Sequence, residues 1–264
     1  MSAAVERVTT VDEPALAAPA VQIDSVAKRY GPPGSSVLAL ERISLSVERG
    51  EFVCLVGASG CGKTTILNLV SGLDQPDAGR ISVTGQVALL FQEAALFPWL
   101  TAAANIELPM TLAGVPRTER RQRVAELLEL VHLQGFGDRR PHELSGGMRQ
   151  RVSLARALAQ RAEVLLMDEP FGSLDAMTRD ILHDEVERLW IDAGFTILFV
   201  THDVREAVRL GDRVIVLSSR PAQVVEEIHV PLPRPRDGAD PDLADVAEHV
   251  ITRLRSEVRA HAED

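Results

Sequence analysis

Residues 57–64 have the types and the spacing of a loop that binds phosphate groups. They read Gly-Ala-Ser-Gly-Cys-Gly-Lys-Thr, which matches G-x-x-x-x-G-K-[ST]. Glycines allow the backbone to turn tightly and to direct successive N–H groups toward an anion. The lysine reaches the terminal phosphates of a nucleotide, and the threonine hydroxyl is a ligand for Mg²⁺. The segment therefore predicts binding of a nucleoside triphosphate by Gly57, Ala58, Ser59, Gly60, Cys61, Gly62, Lys63 and Thr64, followed by Thr65.

Apolar and helical patterns flank this loop on the sides where a phosphate site needs them. Residues 52–56 are apolar and predict a buried strand that leads in, and a helix from Thr64 to about Val70 leads out. The N-terminus of that helix adds positive potential at the same place. The alternative is a glycine-rich turn that binds no ligand. It is disfavoured because all motif positions are filled and both flanks are correct.

A second group of polar residues follows two later apolar strands. Residues 164–167 lead to Asp168 and Glu169, and residues 195–200 lead to His202. The carboxyl ends of parallel strands meet at one edge of a sheet, so we expect these side chains near the phosphate loop. Asp168 would hold Mg²⁺ opposite the loop threonine, Glu169 would orient an attacking water, and His202 would contact the γ-phosphate. The alternatives are an acidic strand cap and a solvated histidine.

Apolar strands alternate with helical segments along most of the chain. Short apolar–polar alternations between residues 21 and 51 predict an antiparallel β region. A helical stretch runs from about 101 to 133, with an interruption near 114–116. The later strand–helix alternation produces a parallel sheet with helices on both faces. We therefore expect an α/β fold in which a parallel sheet carries an antiparallel β subdomain and an inserted α-helical subdomain, at about 93–160.

The two ends of the chain differ from this body. Residues 1–20 are rich in Ala, Val, Pro and Thr without a clear period, and we expect a disordered leader there. The main domain is expected over residues 21–230. Residues 231–264 are expected to form a proline-rich linker and an amphipathic C-terminal helix. Docking of this helix on the body or on a partner subunit is favoured over a membrane-surface role, because its polar face carries as many acids as bases.

Composition and charge exclude several classes of protein. The chain has 264 residues and a formal net charge of −10, which argues against a nucleic-acid-binding surface. No apolar run is long enough to span a bilayer, and the N-terminus carries no signal segment, so membrane association is expected through a partner. The two cysteines, Cys54 and Cys61, fit a reducing cytoplasm better than a disulfide framework.

The position of Cys61 inside the phosphate loop leads to an expectation about its reactivity. Converging N–H groups, a helix N-terminus and Lys63 favour the thiolate of Cys61 and hence its reaction with a maleimide. Cys54, in a predicted buried strand, is expected to be inert. The equally weighted alternative is that Cys61 is a small side chain that faces the sheet.

Another anion-binding motif lies at 144–150, Leu-Ser-Gly-Gly-Met-Arg-Gln. It places a second helix N-terminus after a polar turn, although these features alone also allow a simple helix cap. Together with the loop at 57–64, this motif resembles the signature of the ATP-binding-cassette (ABC) family. The resemblance runs from about Val21 to Val230. Its further matching features are an aromatic residue before the loop (Tyr30), a glutamine after a strand (Gln92), the pair Asp168-Glu169, the aspartate loop Ser173-Leu174-Asp175 and the switch histidine His202.

The resemblance implies an ATP site shared between two cassettes in a head-to-tail dimer. ATP on the phosphate loop of one chain would be capped by the signature residues of the other, and closure and reopening of the dimer would be the power stroke. Tyr30 would stack on adenine. The implied nucleotide ligands outside the loop are Tyr30, Ser145, Gly146, Gly147 and Asp175. The implied catalytic residues are Gln92, Glu169 and His202. The implied Mg²⁺ ligands are Thr64, Gln92 and Asp168.

The resemblance also implies partners and a place in the cell. Residues 97–100, Phe-Pro-Trp-Leu, would be an exposed apolar cluster for the coupling helix of a permease, the alternative being that they fill the core of the helical subdomain. The expected partners are a second ATPase subunit in a homodimer, transmembrane permease subunits and, indirectly, an extracytoplasmic solute-binding protein, with no nucleic acid. The chain would lie peripherally at the cytoplasmic face of the cell membrane.

Local strings narrow the expected group of transporters. Residues 96–99, the stretch 167–179 and the tail at 232–237 look like those of importers of the nitrate, sulfonate and taurine group. An aliphatic-sulfonate importer is favoured, with nitrate, taurine or another small solute as alternatives. A soluble cassette that acts on DNA or ribosomes is disfavoured by the charge and by the lack of a coiled-coil insertion. A degenerate cassette that binds ATP without turnover is disfavoured because Glu169 and His202 are intact.

Overall fold

The computed structural model describes residues 18–32, 34–238 and 240–262. In these residues the protein forms two β-sheets and a set of α-helices that pack on them. The strands are β1 (Val21–Tyr30), β2 (Val37–Val47), β3 (Phe52–Val56), β4 (Ala78–Val83), β5 (Val87–Leu90), β6 (Val164–Asp168), β7 (Thr196–Val200), β8 (Arg213–Leu217) and β9 (Val224–His229). The helices are α1 (Lys63–Val70), α2 (Ala102–Leu112), α3 (Arg117–Leu130), α4 (Gly146–Leu158), α5 (Ala176–Ala193), α6 (Val204–Leu210) and α7 (Pro241–Ala262).

The central sheet has the strand order β5-β6-β7-β3-β8-β9 among the described strands. Its first five strands in that order are parallel, and β9 is antiparallel to β8. Strands β3, β6, β7 and β8 are buried along their whole length, as apolar runs between two layers of helices should be. The predicted parallel sheet is confirmed. β9 lies outside the sequence prediction, because it is a partly exposed edge strand interrupted by two glutamates.

The second sheet is antiparallel and has the order β2-β1-β4. Its apolar side chains, such as Val21 and Ile43, belong to the same buried cluster as Val53 of β3 and Ile66 of α1. This packing fixes α1, and the loop that precedes it, between the two sheets. The short strands on either side of Gly85, β4 and β5, belong to different sheets.

Helices α2, α3 and α4 lie between β5 and β6 in the chain and pack on one another. The predicted interruption near 114–116 is confirmed, since α2 ends at Leu112 and α3 begins at Arg117. Ser145 caps α4, because its hydroxyl oxygen accepts the N–H of Met148 at 3.2 Å. The cap determines where α4 begins and therefore where the signature glycines lie.

The packed body of the chain begins before Val21. Ala20 is buried, and its N–H donates to the carbonyl of Val47 at 2.8 Å. The expected leader over residues 1–20 therefore extends too far at its end, because Ala20 completes the edge of the antiparallel sheet. Residues 1–17, the rest of that expected leader, lie outside the described residues.

The proline-rich segment at 231–238, called the strap below, is bound to the body rather than free. Arg236 is 5% exposed. Its guanidinium donates to backbone carbonyls at the end of α6 and near the end of β9, which belong to Val208, Arg209, Gly211, Val230 and Leu232. Because α6 is short and has unpaired carbonyls at its end, this arginine supplies partners that the helix lacks.

The end of the chain packs on the same helix. α7 lies against α6, and Leu243, Ala247 and Val250 are the buried residues of its apolar face. Arg253 on α7 forms an ion pair with Glu226 of β9 at 3.3 Å, and Nε2 of His249 lies 2.9 Å from Oε1 of the same carboxylate. Of the two expected docking places, the body or a partner subunit, the helix occupies the body in this chain.

Replacing Arg236 by methionine is expected to lower the free energy of unfolding by about 2–4 kcal/mol, because several buried carbonyls lose their donor together. Urea unfolding of the variant measures this loss. Arg255, an exposed arginine on α7, is the matched control, and Arg255→Met should change stability by about 0.5 kcal/mol or less. Equal losses in the two variants would show that the strap does not depend on Arg236.

Candidate active site

The phosphate loop connects β3, in the middle of the central sheet, to α1. Gly62 has a φ of +113°, and a Cβ on it would lie 2.6 Å from Leu40 Cδ2. A Cβ on Gly57 would lie 2.7 Å from Cys61 Sγ. Both positions therefore require glycine, one for its backbone conformation and both for close packing. Leu40 of the second sheet thus packs against the loop and helps to hold its shape.

Lys63 points its ammonium group into the loop. The residue is 6% exposed, and Nζ donates to the carbonyls of Gly57 at 2.9 Å and Ala58 at 3.0 Å. A positive charge held this way, beside backbone N–H groups and the start of α1, makes the loop attractive to a phosphate group.

Asp168 ends β6 and lies near Thr64 of the phosphate loop. Burial raises the pKa of the Asp168 carboxyl above its usual value, while a hydrogen bond with the Thr64 side chain and the charge of Lys63 partly oppose that rise. A threonine hydroxyl and a neighbouring carboxylate are hard oxygen donors of the kind that Mg²⁺ prefers. Thr64 and Asp168 therefore fit the expected metal, and the amide oxygen of Gln92 is chemically suited to join them.

The three expected catalytic side chains meet at one atom, Oε2 of Glu169. Nε2 of Gln92 donates to it at 3.2 Å, and Nδ1 of His202 lies 3.2 Å from it. The reason is sheet order, because Gln92, Glu169 and His202 follow β5, β6 and β7, which are adjacent parallel strands. Each side chain therefore leaves the same edge of the sheet.

The backbone of Glu169 is held in an unusual conformation. Its φ is +44°, in the left-handed region, and its N–H donates to the carbonyl of Val200 at 2.9 Å. A non-glycine residue in this region costs roughly 1–3 kcal/mol, which the surrounding structure must offset. The hydrogen bond to β7 holds the turn and directs the carboxylate toward Gln92 and His202.

The signature residues lie beside the aspartate loop of the same chain. A Cβ on Gly147 would lie 3.1 Å from Leu174 Cδ2, and Asp175 caps α5 by accepting the N–H of Thr178 at 2.9 Å. Among the hydrogen bonds of the described residues, none joins residues 145–147 to the phosphate loop. Within one chain Ser145 and Asp175 therefore act as helix caps, and Ser145 and Gly146 are exposed to a second molecule.

Tyr30 lies near the start of α1, and the residue is 42% exposed. Its hydroxyl donates to Asp74 Oδ2 at 2.9 Å, and its environment includes the side chain of Thr65 in the first turn of α1. Lys28 binds the same carboxylate at 2.6 Å and lies 5.2 Å from the centre of the Tyr30 ring. This network holds an exposed aromatic face beside the phosphate loop, where a base could stack on it.

The expected reactivity of Cys61 is wrong. Cys61 is 2% exposed and packs in the cluster that joins the antiparallel sheet to α1. Burial raises the pKa of its thiol, and the nearby charge of Lys63 offsets this only in part. Cys61 is therefore the small side chain facing the sheet that the alternative described.

Neither cysteine is expected to react with a maleimide while the protein is folded. Burial raises the pKa of both thiols, that of Cys54 well above its usual value. The reactive thiolate is therefore scarce near neutral pH and grows only as pH rises. Mass-spectrometric mapping of labelled peptides, with urea-unfolded protein as the positive control, measures this. Rapid labelling of Cys61 in folded protein would contradict the buried placement.

Segment 96–101 presents aromatic side chains to solvent. Trp99 is 68% and Phe97 38% exposed, and their ring centres lie 5.5 Å apart. These two side chains form an apolar surface, whereas the alternative placed them in the core of the helical subdomain. Leu96 and Leu100 of the same segment are half-buried.

Three polar residues whose role the sequence analysis did not predict hold the segment on both sides of Gln92. They are Asn105, Gln150 and Arg156, and they donate to backbone carbonyls of residues 91–101. The carbonyls that Gln150 and Arg156 bind lie about sixty positions away in sequence. The sequence offered one signal for this role, which is that Asn105 of α2 stands among apolar residues. An asparagine buried in such a helix needs hydrogen-bond partners.

Across the described residues, no α-helix combines the length and the apolar composition that crossing a membrane requires.

Comparison with known proteins identifies the family. The profile of the ABC transporter family matches residues 40–172. The nitrate import ATP-binding protein NrtD of Synechocystis sp. is 47% identical over 206 residues, which are 75% of this chain and 77% of that protein. The bicarbonate transport ATP-binding protein CmpD of Synechococcus elongatus is 39% identical over 251 residues, 89% of this chain and 90% of that protein.

A solved structure agrees with these sequence matches. The dimeric post-hydrolysis state of the ATP-binding cassette MJ0796, bound to ADP and Pi, superposes with a TM-score of 0.74 at 32% identity and covers 81% of this chain and 100% of that chain. The phosphate loop, the acidic pair after β6 and the parallel sheet thus occur together in a chain whose length and sequence match known cassettes. This protein belongs to the ABC transporter family and has the fold of its ATP-binding cassettes.

Proposed function

We propose that this chain is the ATP-hydrolysing subunit of an ABC importer that takes up a small oxyanion. The observation that supports ATP hydrolysis is that Gln92 and His202 both contact one carboxylate oxygen of Glu169. Glu169 directly follows Asp168, whose carboxylate lies near the Thr64 side chain of the phosphate loop. Residues 21–230 are proposed as the cassette domain, with the helical subdomain at about 93–160.

The proposed mechanism is in-line attack of water on the γ-phosphate. The loop N–H groups and Lys63 hold the phosphates, and Mg²⁺ held by Thr64, Gln92 and Asp168 would supply neutralisation of phosphate charge. Glu169 orients the water and takes its proton as the oxygen attacks, so that ADP leaves with the electrons of the broken bond. His202, whose side chain is 66% exposed, is free to contact the γ-phosphate.

The site is proposed to be completed by a second copy of the chain. Ser145 and Gly146 are exposed at the N-terminus of α4, which carries positive potential and free N–H groups. Asp175 is also exposed and follows Leu174, whose Cδ2 would lie 3.1 Å from a Cβ on Gly147. The likeness to a cassette solved as a dimer with ADP and Pi supports a head-to-tail pair in which these residues reach the partner's nucleotide. The stacking role of Tyr30 on adenine is proposed on its exposed ring.

The partner in the membrane is proposed to dock on Phe97 and Trp99. Both rings are exposed, and the segment that carries them begins at Gln92. Only a few residues of the chain would therefore separate a permease helix bound to the rings from the active site. With this docking, the chain would lie peripherally on the cytoplasmic face of the cell membrane. A solute-binding protein outside the cell would reach it only through the permease.

The transported solute is proposed to be a small oxyanion, with aliphatic sulfonates favoured and nitrate, taurine and bicarbonate as the competing candidates. The names of NrtD and CmpD describe nitrate import and bicarbonate transport, both of small oxyanions. The solute does not contact this chain in such an arrangement, so the choice among oxyanions belongs to the permease and binding protein.

Uptake in a strain that lacks this chain tests the proposal. Labelled alkanesulfonate, nitrate, taurine and bicarbonate are offered separately, and the strain is complemented with the native chain or with Glu169→Gln. Loss of uptake of one oxyanion, restored by the native chain alone, supports an importer and names its solute. Unchanged uptake of all four, with full phosphate release by the purified chain, would indicate a cassette that acts outside transport.

A further inference from the structure

Residues 91–101, called the connector below, join the active site to the exposed aromatic rings. At one end Gln92 donates to Glu169, and at the other Phe97 and Trp99 reach solvent. The connector contains no regular helix or strand beyond a turn. Its shape must therefore come from side chains of neighbouring elements that satisfy its backbone groups.

α4 holds the first half of the connector. Nε2 of Gln150, a residue only 4% exposed, donates to the carbonyl of Phe91 at 3.3 Å. The guanidinium of Arg156 donates to the carbonyl of Ala95 at 2.9 Å and to that of Ala94 at 3.1 Å. Arg156 also lies 5.9 Å from the centre of the Phe97 ring.

The local backbone shows why such a hold is needed. Ala95 has a φ of +42°, in the left-handed region, where a residue with a Cβ is strained. The two bonds from Arg156 arrive on this residue and on the one before it, so they stabilise a conformation that the connector would otherwise leave.

α2 holds the second half. Asn105 is fully buried, and its side chain accepts the N–H of Phe97 at 2.8 Å and donates to the carbonyls of Phe97, Leu100 and Thr101. The backbone at the aromatic end of the connector is thus fixed to the helical subdomain by Asn105, in addition to the contact of Arg156 with the Phe97 ring. Among the hydrogen bonds of the described residues, those from Gln150 and Arg156 of α4 are the ones that hold the backbone on either side of Gln92.

We propose that Arg156 is a positioning residue that acts through the connector backbone on Gln92, so that α4 and Gln92 move as one unit. α4 also begins with the signature residues, and a shift of its N-terminus would then change the contact between Gln92 and Glu169. This inference rests on the proposed hydrolysis of ATP, and it goes beyond it by naming the residue that links the signature helix to the catalytic carboxylate.

A double-mutant cycle on phosphate release tests the proposal. Arg156→Ala is expected to lower kcat roughly tenfold in the native background and less than about twofold in the Gln92→Ala background, because an effect exerted through Gln92 disappears with that side chain. Arg120 is the matched control. It also donates to a backbone carbonyl in the helical subdomain, that of Val115, and contacts none of the connector in its described hydrogen bonds. Arg120→Ala should have the same small effect in both backgrounds.

Equal losses from Arg156→Ala in both backgrounds would overturn the proposal, because a general loss of structure does not depend on Gln92. If Arg156→Ala fails to fold, Arg156→Lys replaces it in the same cycle, since lysine keeps the charge and cannot serve two carbonyls in the fork geometry of arginine.

Hydrogen exchange of the connector amides separates this inference from the proposed function. Faster exchange over residues 93–99 in the Arg156 variant, and not in Arg120→Ala, supports the hold by Arg156 whether or not ATP is hydrolysed. Unchanged exchange overturns it. A native chain that releases no phosphate would instead overturn the proposed function.

Discussion

Glu169→Gln is expected to lower ATP hydrolysis roughly 10²–10⁴-fold while ATP still binds, because the amide keeps the size of the carboxylate and cannot accept the proton of water. The carboxylate oxygen that would take this proton is the one contacted by Gln92 and His202. Phosphate release at saturating Mg-ATP measures the loss, and sedimentation should show ATP-bound dimers that accumulate because reopening requires hydrolysis.

The matched control is Glu126→Gln, which neutralises an exposed carboxylate that pairs with Arg123 on α3. This change should leave phosphate release within about twofold of the native value, as surface substitutions away from a site do. Near-native turnover by Glu169→Gln would remove this carboxylate from the role of base and leave the water to another group.

Lys63→Ala and Ser145→Arg are expected to separate nucleotide binding from dimer closure. Lys63→Ala should weaken ATP binding to the monomer roughly 10–100-fold, since it removes a charged donor from the loop. Ser145→Arg should leave monomer affinity nearly unchanged and abolish the ATP-dependent dimer, because it places a long side chain where the partner's γ-phosphate is proposed to sit. Nucleotide titration and sedimentation on each variant measure the two effects.

Ser145→Ala controls for the helix cap that Ser145→Arg also removes. Loss of this cap costs about 1 kcal/mol of stability and does not block the surface, so dimers should still form. A fall in monomer affinity for Ser145→Arg as large as that for Lys63→Ala would contradict a site shared between two chains.

Local chemistry made the phosphate loop predictable from the amino-acid sequence. Its glycines, Lys63 and Thr64 are contiguous, and the strand before it and helix after it follow from short-range patterns. The same holds for the cap at Ser145 and for the burial of β3, β6, β7 and β8, since an apolar run between helices has no other stable place. The sequence also placed Glu169 and His202 at the ends of strands, and therefore at one edge of the sheet.

Only the tertiary structure decided which strands are neighbours. Because β5, β6 and β7 are adjacent, Gln92, Glu169 and His202 meet at a single oxygen, a detail that strand order sets and local pattern does not. It also decided between the two readings of Cys61, because burial depends on the antiparallel sheet packed over the loop.

Polar side chains that bind distant backbone escaped the sequence for the same reason. Arg156 on the connector and Arg236 on the end of α6 satisfy carbonyls that are far away in the chain or exposed by the fold itself. A periodic pattern shows which face of an element is buried. It does not show which unpaired carbonyl will lie opposite a guanidinium once the helices have packed, since that pairing exists only after the chain has closed around it.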